Sequence, residues 1–244
     1  MGILYLVYGV LCWLMFVATL MYAMFFVGDF VVPFSVNMNP YFGGAPILQS
    51  VLINFGFLAL FSLQHSIMAR PKFKSWWTKV IPDAIERSTF ILFANSILIL
   101  MYYYWHPIPN VIWRVEAQWA QILLWAIFGI GWAMVFASAS MIDYFELTGL
   151  KQVWYAFKGK EMPGYTFGTP YLYSVIRHPI YFGFLLGSWS IPTMTGGHLV
   201  WSIGATIVIA IGVKLEERNL VDYFGAKYVS YKKRVPMLIP FLKF

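Results

Sequence analysis

Residues 3–28 decide the fold, because they read ILYLVYGVLCWLMFVATLMYAMFFVG and contain no charged side chain. A helix of roughly 20 predominantly apolar residues crosses the hydrocarbon core of a bilayer, which is about 30 Å thick. The run ends at Asp29 and no Lys or Arg precedes it, whereas a cleavable signal peptide has a basic leader and a shorter apolar core. The stretch therefore predicts a retained helix that anchors the chain in a membrane.

The composition of the whole chain agrees with this prediction. Of its 244 residues, 60% are apolar and 11% are charged, and the mean hydropathy is +0.69. These values exclude disordered, coiled-coil and ordinary soluble globular classes. The single cysteine, Cys12, rules out an intrachain disulfide and a cysteine-based metal cluster, and we expect no metal site.

Further apolar runs predict an all-α, polytopic integral membrane protein. Four runs have the length of a transmembrane helix: 3–28, 47–68, 88–105 and 118–142. Two shorter runs, 180–194 and 199–213, flank Thr195-Gly196-Gly197-His198, whose residues tolerate the positive φ of a tight turn. We therefore expect four long transmembrane helices plus a C-terminal helical hairpin, with cytoplasmic loops and the tail forming the functional site.

The basic residues are distributed unevenly between the connections. Sixteen of the 17 Lys and Arg residues fall in segments 69–87, 143–179 and 214–244, and the remaining one is Arg114. Because cytoplasmic loops carry the excess of basic residues, these three segments and both termini are predicted to be cytoplasmic. Membrane insertion thus explains the net charge of +7, and we expect no nucleic-acid partner.

Ionisable residues gather at the predicted cytoplasmic ends of the spans. Such groups are costly in a membrane unless they are paired or functional, so each is a candidate site residue. The clusters are Gln64-His65-Ser66 with Arg70, Asp143 with Glu146, Arg177-His178, and Glu216-Glu217-Arg218. We expect them to converge on one cavity that opens to the cytosol, within a single membrane-embedded domain that spans residues 1–244.

Two segments in the C-terminal third resemble a known membrane-enzyme signature. Residues 170–183, PYLYSVIRHPIYFG, are similar to the GPY-x-x-x-RHP-x-Y-x-G pattern of the isoprenylcysteine carboxyl methyltransferase superfamily. The second half of that pattern follows as Glu216-Glu217-Arg218-Asn219-Leu220, Phe224-Gly225, Tyr228, Tyr231 and Val235-Pro236. The two-part match covers about residues 167–240, and the resemblance implies a cofactor-binding region there.

The N-terminal half separates the branches of this superfamily. Residues 61–70 (FSLQHSIMAR), 86–88 (ERS) and 143–153 (DYFELTGLKQV) resemble the bacterial methanethiol S-methyltransferase branch, and the first two also resemble the related NnrU proteins. This resemblance implies S-adenosyl-L-methionine as methyl donor and methanethiol as acceptor, with dimethyl sulfide as product. It also implies a multi-pass protein of the bacterial inner membrane.

The resemblance assigns the cofactor to the C-terminal motifs. Proline is favoured in the first turn of a helix, so His178-Pro179 predicts a loop that feeds a helix N-terminus, where an anion binds. We expect Arg177 and this N-terminus to hold the cofactor carboxylate, and Glu216 and Glu217 to accept from its amino group or ribose hydroxyls. The rings expected to enclose the adenine or the sulfonium belong to Tyr173, Tyr181, Tyr228 and Tyr231.

The acceptor side needs a way to ionise a thiol. Even the cysteine thiol has a reference pKa of about 8.5, so a small thiol is largely protonated at neutral pH. The candidates for the proton acceptor are His65, Asp143 and Glu146, with Arg70 or Lys151 as orienting charges. The apolar spans would give an uncharged thiol a route through the bilayer.

Three other functions remain open at this point. A carboxyl methyltransferase of the isoprenylcysteine type would need a wide groove that faces the lipid. A reductase of the sterol-reductase type shares a similar C-terminal motif, but would need basic residues around the 2′-phosphate of NADPH. A non-catalytic transporter would line a path across the membrane midplane with polar groups, whereas the charged residues here cluster at one face.

Overall fold

Helices make up most of the chain. The computed structural model describes residues 1–30, 32–164 and 166–242, so that Lys243 of the basic tail lies outside the described residues. The helices are α1 Gly2–Gly28, α2 Ile47–Met68, α3 Pro71–Trp77, α4 Asp83–Tyr104, α5 Gln118–Met141, α6 Tyr144–Thr148, α7 Leu150–Phe157, α8 Leu172–Val175, α9 Pro179–Trp189, α10 Gly196–Phe224 and α11 Ala226–Arg234. Two short strands, β1 Val111–Arg114 and β2 Thr193–Thr195, complete the list of elements in these residues.

Five helices of the described part are long and apolar enough to cross a membrane, namely α1, α2, α4, α5 and α10. The predicted polytopic all-α fold is therefore confirmed, and the protein is a multi-pass membrane protein. The helix α4 begins earlier than the apolar run that predicts it. Asp83 and Glu86 lie in its first turn, where negative charge favours the positive end of the helix dipole.

The C-terminal hairpin differs from its prediction in both arms. The first arm, α9, has only 11 residues, whereas the second, α10, has 29 and continues beyond Val213 to Phe224. The charged residues that end the apolar run are good helix formers and do not end the helix. The predicted glycine turn is also wrong, because Gly196 and Gly197 have no positive φ and Thr195 caps α10 by accepting from the amide of His198.

The sparsely charged connections meet at one end of the bundle. Strand β1 pairs with β2 in antiparallel fashion, the Thr195 hydroxyl donates to Asn37 Oδ1 at 2.6 Å, and the amide of Gly197 donates to the Ile108 carbonyl at 2.9 Å. The rings of Phe26, Trp105 and Trp201 pack beside this end, with centroids 5.6 to 6.0 Å apart. Segments 69–82, 142–164, 166–178 and 225–242 lie at the opposite end, which we call the basic end.

Glycines allow α5 and α9 to pack closely. A Cβ at Gly131 would lie 2.7 Å from the Gly183 carbonyl oxygen, and a Cβ at Gly183 would lie 2.5 Å from the Gly131 carbonyl oxygen. Gly131 is therefore a packing residue, whereas Gly129 faces open space. The contact also explains why the C-terminal motif has a glycine at position 183, since this packing sets the position of α9.

We expect Gly183→Val to lower the stability of the folded protein by about 1–3 kcal/mol, the usual cost of overpacking. The added side chain would meet helix backbone, which has no rotamer to change. The thermal unfolding midpoint in detergent measures the effect. Gly129→Val is the matched control because no atom lies within 4 Å of its Cβ position, and equal losses in both variants would contradict the packing argument.

Candidate active site

A buried ion pair joins the start of α9 to α10. Arg177 Nε donates to Glu217 Oε1 at 2.6 Å, and the two side chains are only 6% and 7% exposed. The sequence positions both partners, because His178 and Pro179 form the N-cap and first residue of α9 and because Glu217 belongs to the long helix α10. The two halves of the C-terminal motif are therefore held together directly.

The C-terminal segment 226–239, which we call the strap, is fastened to the same arginine. Arg177 Nη1 donates to the carbonyl oxygens of Lys232, at 3.0 Å, and Val235. The amides of Arg177 and His178 donate to the carbonyl oxygens of Pro236 and Met237, at 2.9 and 3.1 Å. These two amides are thus used within the chain and do not contribute to the anion site that the sequence predicts at this helix N-terminus.

Glu217 has two further partners. It lies 3.3 Å from Nε2 of His178 and accepts from Nζ of Lys232 at 2.8 Å. Sequence reasoning did not identify Lys232, whose only signal was its place in the basic tail. With three partners for one carboxylate, Glu217 assembles α9, α10 and the strap.

The neighbouring carboxylate, Glu216, is in a more open position. Its side chain is 43% exposed, and its Oε2 accepts from the hydroxyl of Tyr181 at 2.8 Å. The ring of His178 stacks on Tyr181 at 5.6 Å, and Nδ1 of His178 lies 3.9 Å from Glu216 Oε2. An accessible carboxylate beside aromatic rings can bind an ammonium group or a sugar hydroxyl.

The remaining tyrosines differ in how accessible they are. Tyr173 donates to the Ser138 carbonyl oxygen at 3.3 Å, and burial, followed by the charge of Glu216, raises its pKa, so the phenol stays a donor. Tyr228 and Tyr231 are only 3% and 4% exposed and both pack against Phe167. Tyr231 also donates to the Tyr173 carbonyl oxygen, and burial raises its pKa to about 12. These last two rings stabilise the strap and present little surface to a ligand.

On the acceptor side, Lys151 bridges the two predicted acids. Its Nζ lies 2.7 Å from Asp143 Oδ2 and 2.6 Å from Glu146 Oε2. Asp143 has a φ of 71° and caps α6 by accepting from the amide of Glu146 at 3.0 Å. Burial raises the pKa of Asp143, but the hydrogen bonds from Lys151 and from this amide lower it by more, so that the pKa lies below its ordinary value. The hydrogen bonds to both carboxylates raise the pKa of Lys151.

His65 and Arg70 lie near the end of α2. The His65 side chain is exposed, with ring centroids 5.4 Å from Phe61 and 4.9 Å from Phe90. Arg70 donates weakly to Asn219 Oδ1, at 3.4 Å, which brings the end of α2 to α10. Arg70 lines an open groove with a volume of about 780 Å³, and His65 precedes the first residue that lines it. The lining residues are Ser66, Ile67, Arg70, Pro71, Lys72, Phe73, Trp76, Asn219 and Asp222.

Arg87 lies on the acceptor side of the site, and sequence reasoning did not select it although it belongs to the 86–88 motif. Its Nε donates to the Leu147 carbonyl oxygen at 2.7 Å, and its guanidinium lies 4.6 Å from the centroid of the Phe90 ring, against which His65 also packs. Arg87 of α4 is therefore in contact with α6 and shares the Phe90 ring with His65 of α2.

Comparison with known proteins places this arrangement among membrane methyltransferases. The chain is 43% identical over 237 residues to methanethiol S-methyltransferase 2 of Bradyrhizobium diazoefficiens, covering 96% of this chain and 89% of that protein. It is 44% identical to the methanethiol S-methyltransferase of Mycobacterium tuberculosis, with 96% and 95% covered. Nurim of Sus scrofa is 30% identical over 185 residues, which are 70% of each chain. No family model matches the chain, and no solved structure matches it.

Proposed function

The chain belongs to the family of methanethiol S-methyltransferases, and on this premise we propose that it transfers the methyl group of S-adenosyl-L-methionine to methanethiol, with dimethyl sulfide as product. The observation that carries the proposal is the assembly of the two motif halves into one unit. Tyr181 donates to Glu216 while Arg177 donates to Glu217, so both halves meet at the basic end. The reaction needs such a site beside the membrane, because its acceptor is small and apolar.

The donor set around Glu216 fits the chemistry of S-adenosylmethionine. Glu216 offers an accessible carboxylate for the amino group, and the amides of Ile180 and Tyr181 lie in the first turn of α9, where a carboxylate is favoured. The rings of Tyr173 and Tyr181 offer π faces for a sulfonium or an adenine. When bound, the cofactor supplies a methyl carbon that is open to attack by a nucleophile because it is attached to a positively charged sulfur.

The protein contributes binding, orientation and the removal of a proton. Arg177 and Glu217 hold the strap against α9 and thereby fix the position of Tyr181 and Glu216. His65, Asp143 and Glu146 are the candidates for accepting the thiol proton, and Arg70 is a candidate for orienting the acceptor. Because an anion attacks a cation, orientation and exclusion of water account for much of the acceleration.

A combined binding and product assay tests this function. Purified protein should bind S-adenosylhomocysteine in calorimetry and give no heat with NADPH, which would exclude the reductase alternative. Membranes supplied with S-adenosylmethionine and methanethiol should release dimethyl sulfide, detected by gas chromatography of the headspace. Methylation of a prenylated cysteine carboxylate instead of the thiol would contradict the proposal, and so would binding of NADPH alone.

We also propose a bacterial plasma membrane as the location, with both termini in the cytoplasm, because the described Lys and Arg residues other than Arg114 lie towards one end of the bundle. Single cysteines in a Cys12→Ser background test the orientation at three exposed positions. Asn110→Cys should react with an impermeant maleimide on intact cells, whereas Val80→Cys and Lys160→Cys should react only after permeabilisation. The reverse pattern would place the basic end outside the cell and contradict the proposed orientation.

A further inference from the structure

A thiol acceptor requires a positive charge near its sulfur. The sequence predicts that Arg70 or Lys151 supplies this charge, and the structure favours a different residue. Lys151, one of the two cations expected for this role, has carboxylate oxygens of Asp143 and Glu146 within 2.7 Å, so its charge is offset. Arg70 donates to Asn219 on the open groove, which Asp222 also lines.

Arg87 contacts the residue that follows Glu146 in α6 and packs on the same ring as His65, so it lies among the residues proposed for the acceptor. It is half-buried, and the hydrogen bond from its Nε to the Leu147 carbonyl oxygen fixes the orientation of the guanidinium plane. The guanidinium and the His65 ring pack on the same Phe90 ring, at 4.6 and 4.9 Å from its centroid.

We propose that Arg87 contacts the sulfur of the acceptor thiolate and stabilises its negative charge, which makes it a catalytic residue of the methyl transfer. This inference rests on the function proposed above. The thiol proton leaves to a side-chain base or to water, and the electron pair left on the acceptor sulfur forms a bond to the methyl carbon. The bond from that carbon to the donor sulfur breaks, and its electron pair stays on the donor sulfur, which becomes a neutral thioether.

The titratable groups near Arg87 determine how its stabilisation of the thiolate can be measured against pH. The titratable groups in its neighbourhood are His65 on α2, Lys74 on α3 and Tyr181 on α9, and Glu86 is its neighbour on α4, where it lies 3.8 Å from Lys74. An arginine stays protonated throughout the accessible pH range, so Arg87 itself does not titrate. The charge that it provides should therefore act on the thiol at every pH that is measured.

The test compares wild type, Arg87→Gln, Arg87→Lys and the exposed control Lys79→Gln. For each, kcat is measured against pH with saturating methanethiol and with a fluorinated ethanethiol, which is a stronger acid. The pH dependence of kcat reports groups in the bound complex and therefore the ionisation of the bound thiol. Calorimetry with S-adenosylhomocysteine is run in parallel, and it also shows whether each variant is folded.

In Arg87→Gln we expect kcat with methanethiol at neutral pH to fall about 10- to 100-fold, since a nearby charge shifts a pKa by one unit or more. The loss should shrink at alkaline pH and with the more acidic thiol, while affinity for S-adenosylhomocysteine stays unchanged. Arg87→Lys should keep most of the wild-type pH profile, and Lys79→Gln should match wild type. A loss that is the same for both thiols at every pH, or weaker S-adenosylhomocysteine binding, would overturn the proposal.

The wild-type enzyme decides the question if Arg87→Gln does not fold. Its kcat should rise with an apparent pKa below that of methanethiol in water, and an apparent pKa equal to the solution value would overturn the role of Arg87. Formation of dimethyl sulfide by wild type is recorded in the same assay. If Arg87 has no effect while dimethyl sulfide is formed, only this inference fails; if no thiol is methylated, the proposed function itself fails.

Discussion

Arg177→Ala should lower the free energy of unfolding by about 3–5 kcal/mol, the cost of leaving one partner of a buried ion pair without the other. Arg177 donates to Glu217 and to the carbonyl oxygens of Lys232 and Val235, so its removal affects both α10 and the strap. The remaining partners of Glu217, His178 and Lys232, compensate only part of the loss. We therefore expect the strap to detach before the transmembrane helices unfold.

Limited proteolysis in detergent measures this detachment, because the freed strap becomes a substrate for trypsin at Lys232, Lys233 and Arg234. Affinity for S-adenosylhomocysteine should fall in parallel, since Tyr181 and Glu216 lose their support. The control is Lys232→Met, which removes a partner that is 36% exposed and should cost less than about 1 kcal/mol. An Arg177→Ala protein with an intact strap and weakened binding would show that Arg177 acts directly on the cofactor.

The apolar runs predict most of the fold because hydropathy alone determines whether a segment of sufficient length enters a bilayer. They predict α1, α2 and α5 with nearly the observed bounds. The second arm of the hairpin is longer than predicted because a hydropathy value treats each charged residue alone and does not show that it is paired in the folded chain. Glu216 and Glu217 remain helical at the end of α10, where Tyr181 and Arg177 donate to them.

The candidate site could be predicted only as a set of residues near one end of the bundle. The motifs identified Arg177 and Glu217, but their direct contact across 40 positions of sequence depends on how α9 packs on α10. The same limit applies to Lys151, whose pairing with Asp143 requires a left-handed backbone at the aspartate. Arg87 was not selected because its neighbours come from α2 and α6, which only the folded chain brings together.

The roles of the three candidate bases can now be separated by their partners. Asp143 caps α6 and accepts from Lys151, and its pKa is held below the ordinary value, which makes it a weak base at neutral pH. Glu146 accepts from the same lysine at 2.6 Å. We therefore expect Asp143→Asn and Glu146→Gln to loosen the contact between α6 and α7, with changes in thiol methylation that follow the loss of folded protein.

His65→Ala should reduce the rate of thiol methylation by about 10²–10⁴, the usual contribution of a general base. Its imidazole packs on the Phe90 ring, on which the Arg87 guanidinium also lies, and a neutral imidazole nitrogen can accept a proton. The loss should shrink as the pH rises, because hydroxide then supplies the thiolate, and affinity for S-adenosylhomocysteine should stay near that of wild type. The matched control is Gln64→Ala on the preceding position of α2, whose amide donates to Met68 and to the Phe90 carbonyl oxygen. If His65→Ala keeps near-normal turnover at neutral pH, the thiol must lose its proton to water, and the charge of Arg87 together with the orientation of sulfur and methyl carbon would then account for catalysis.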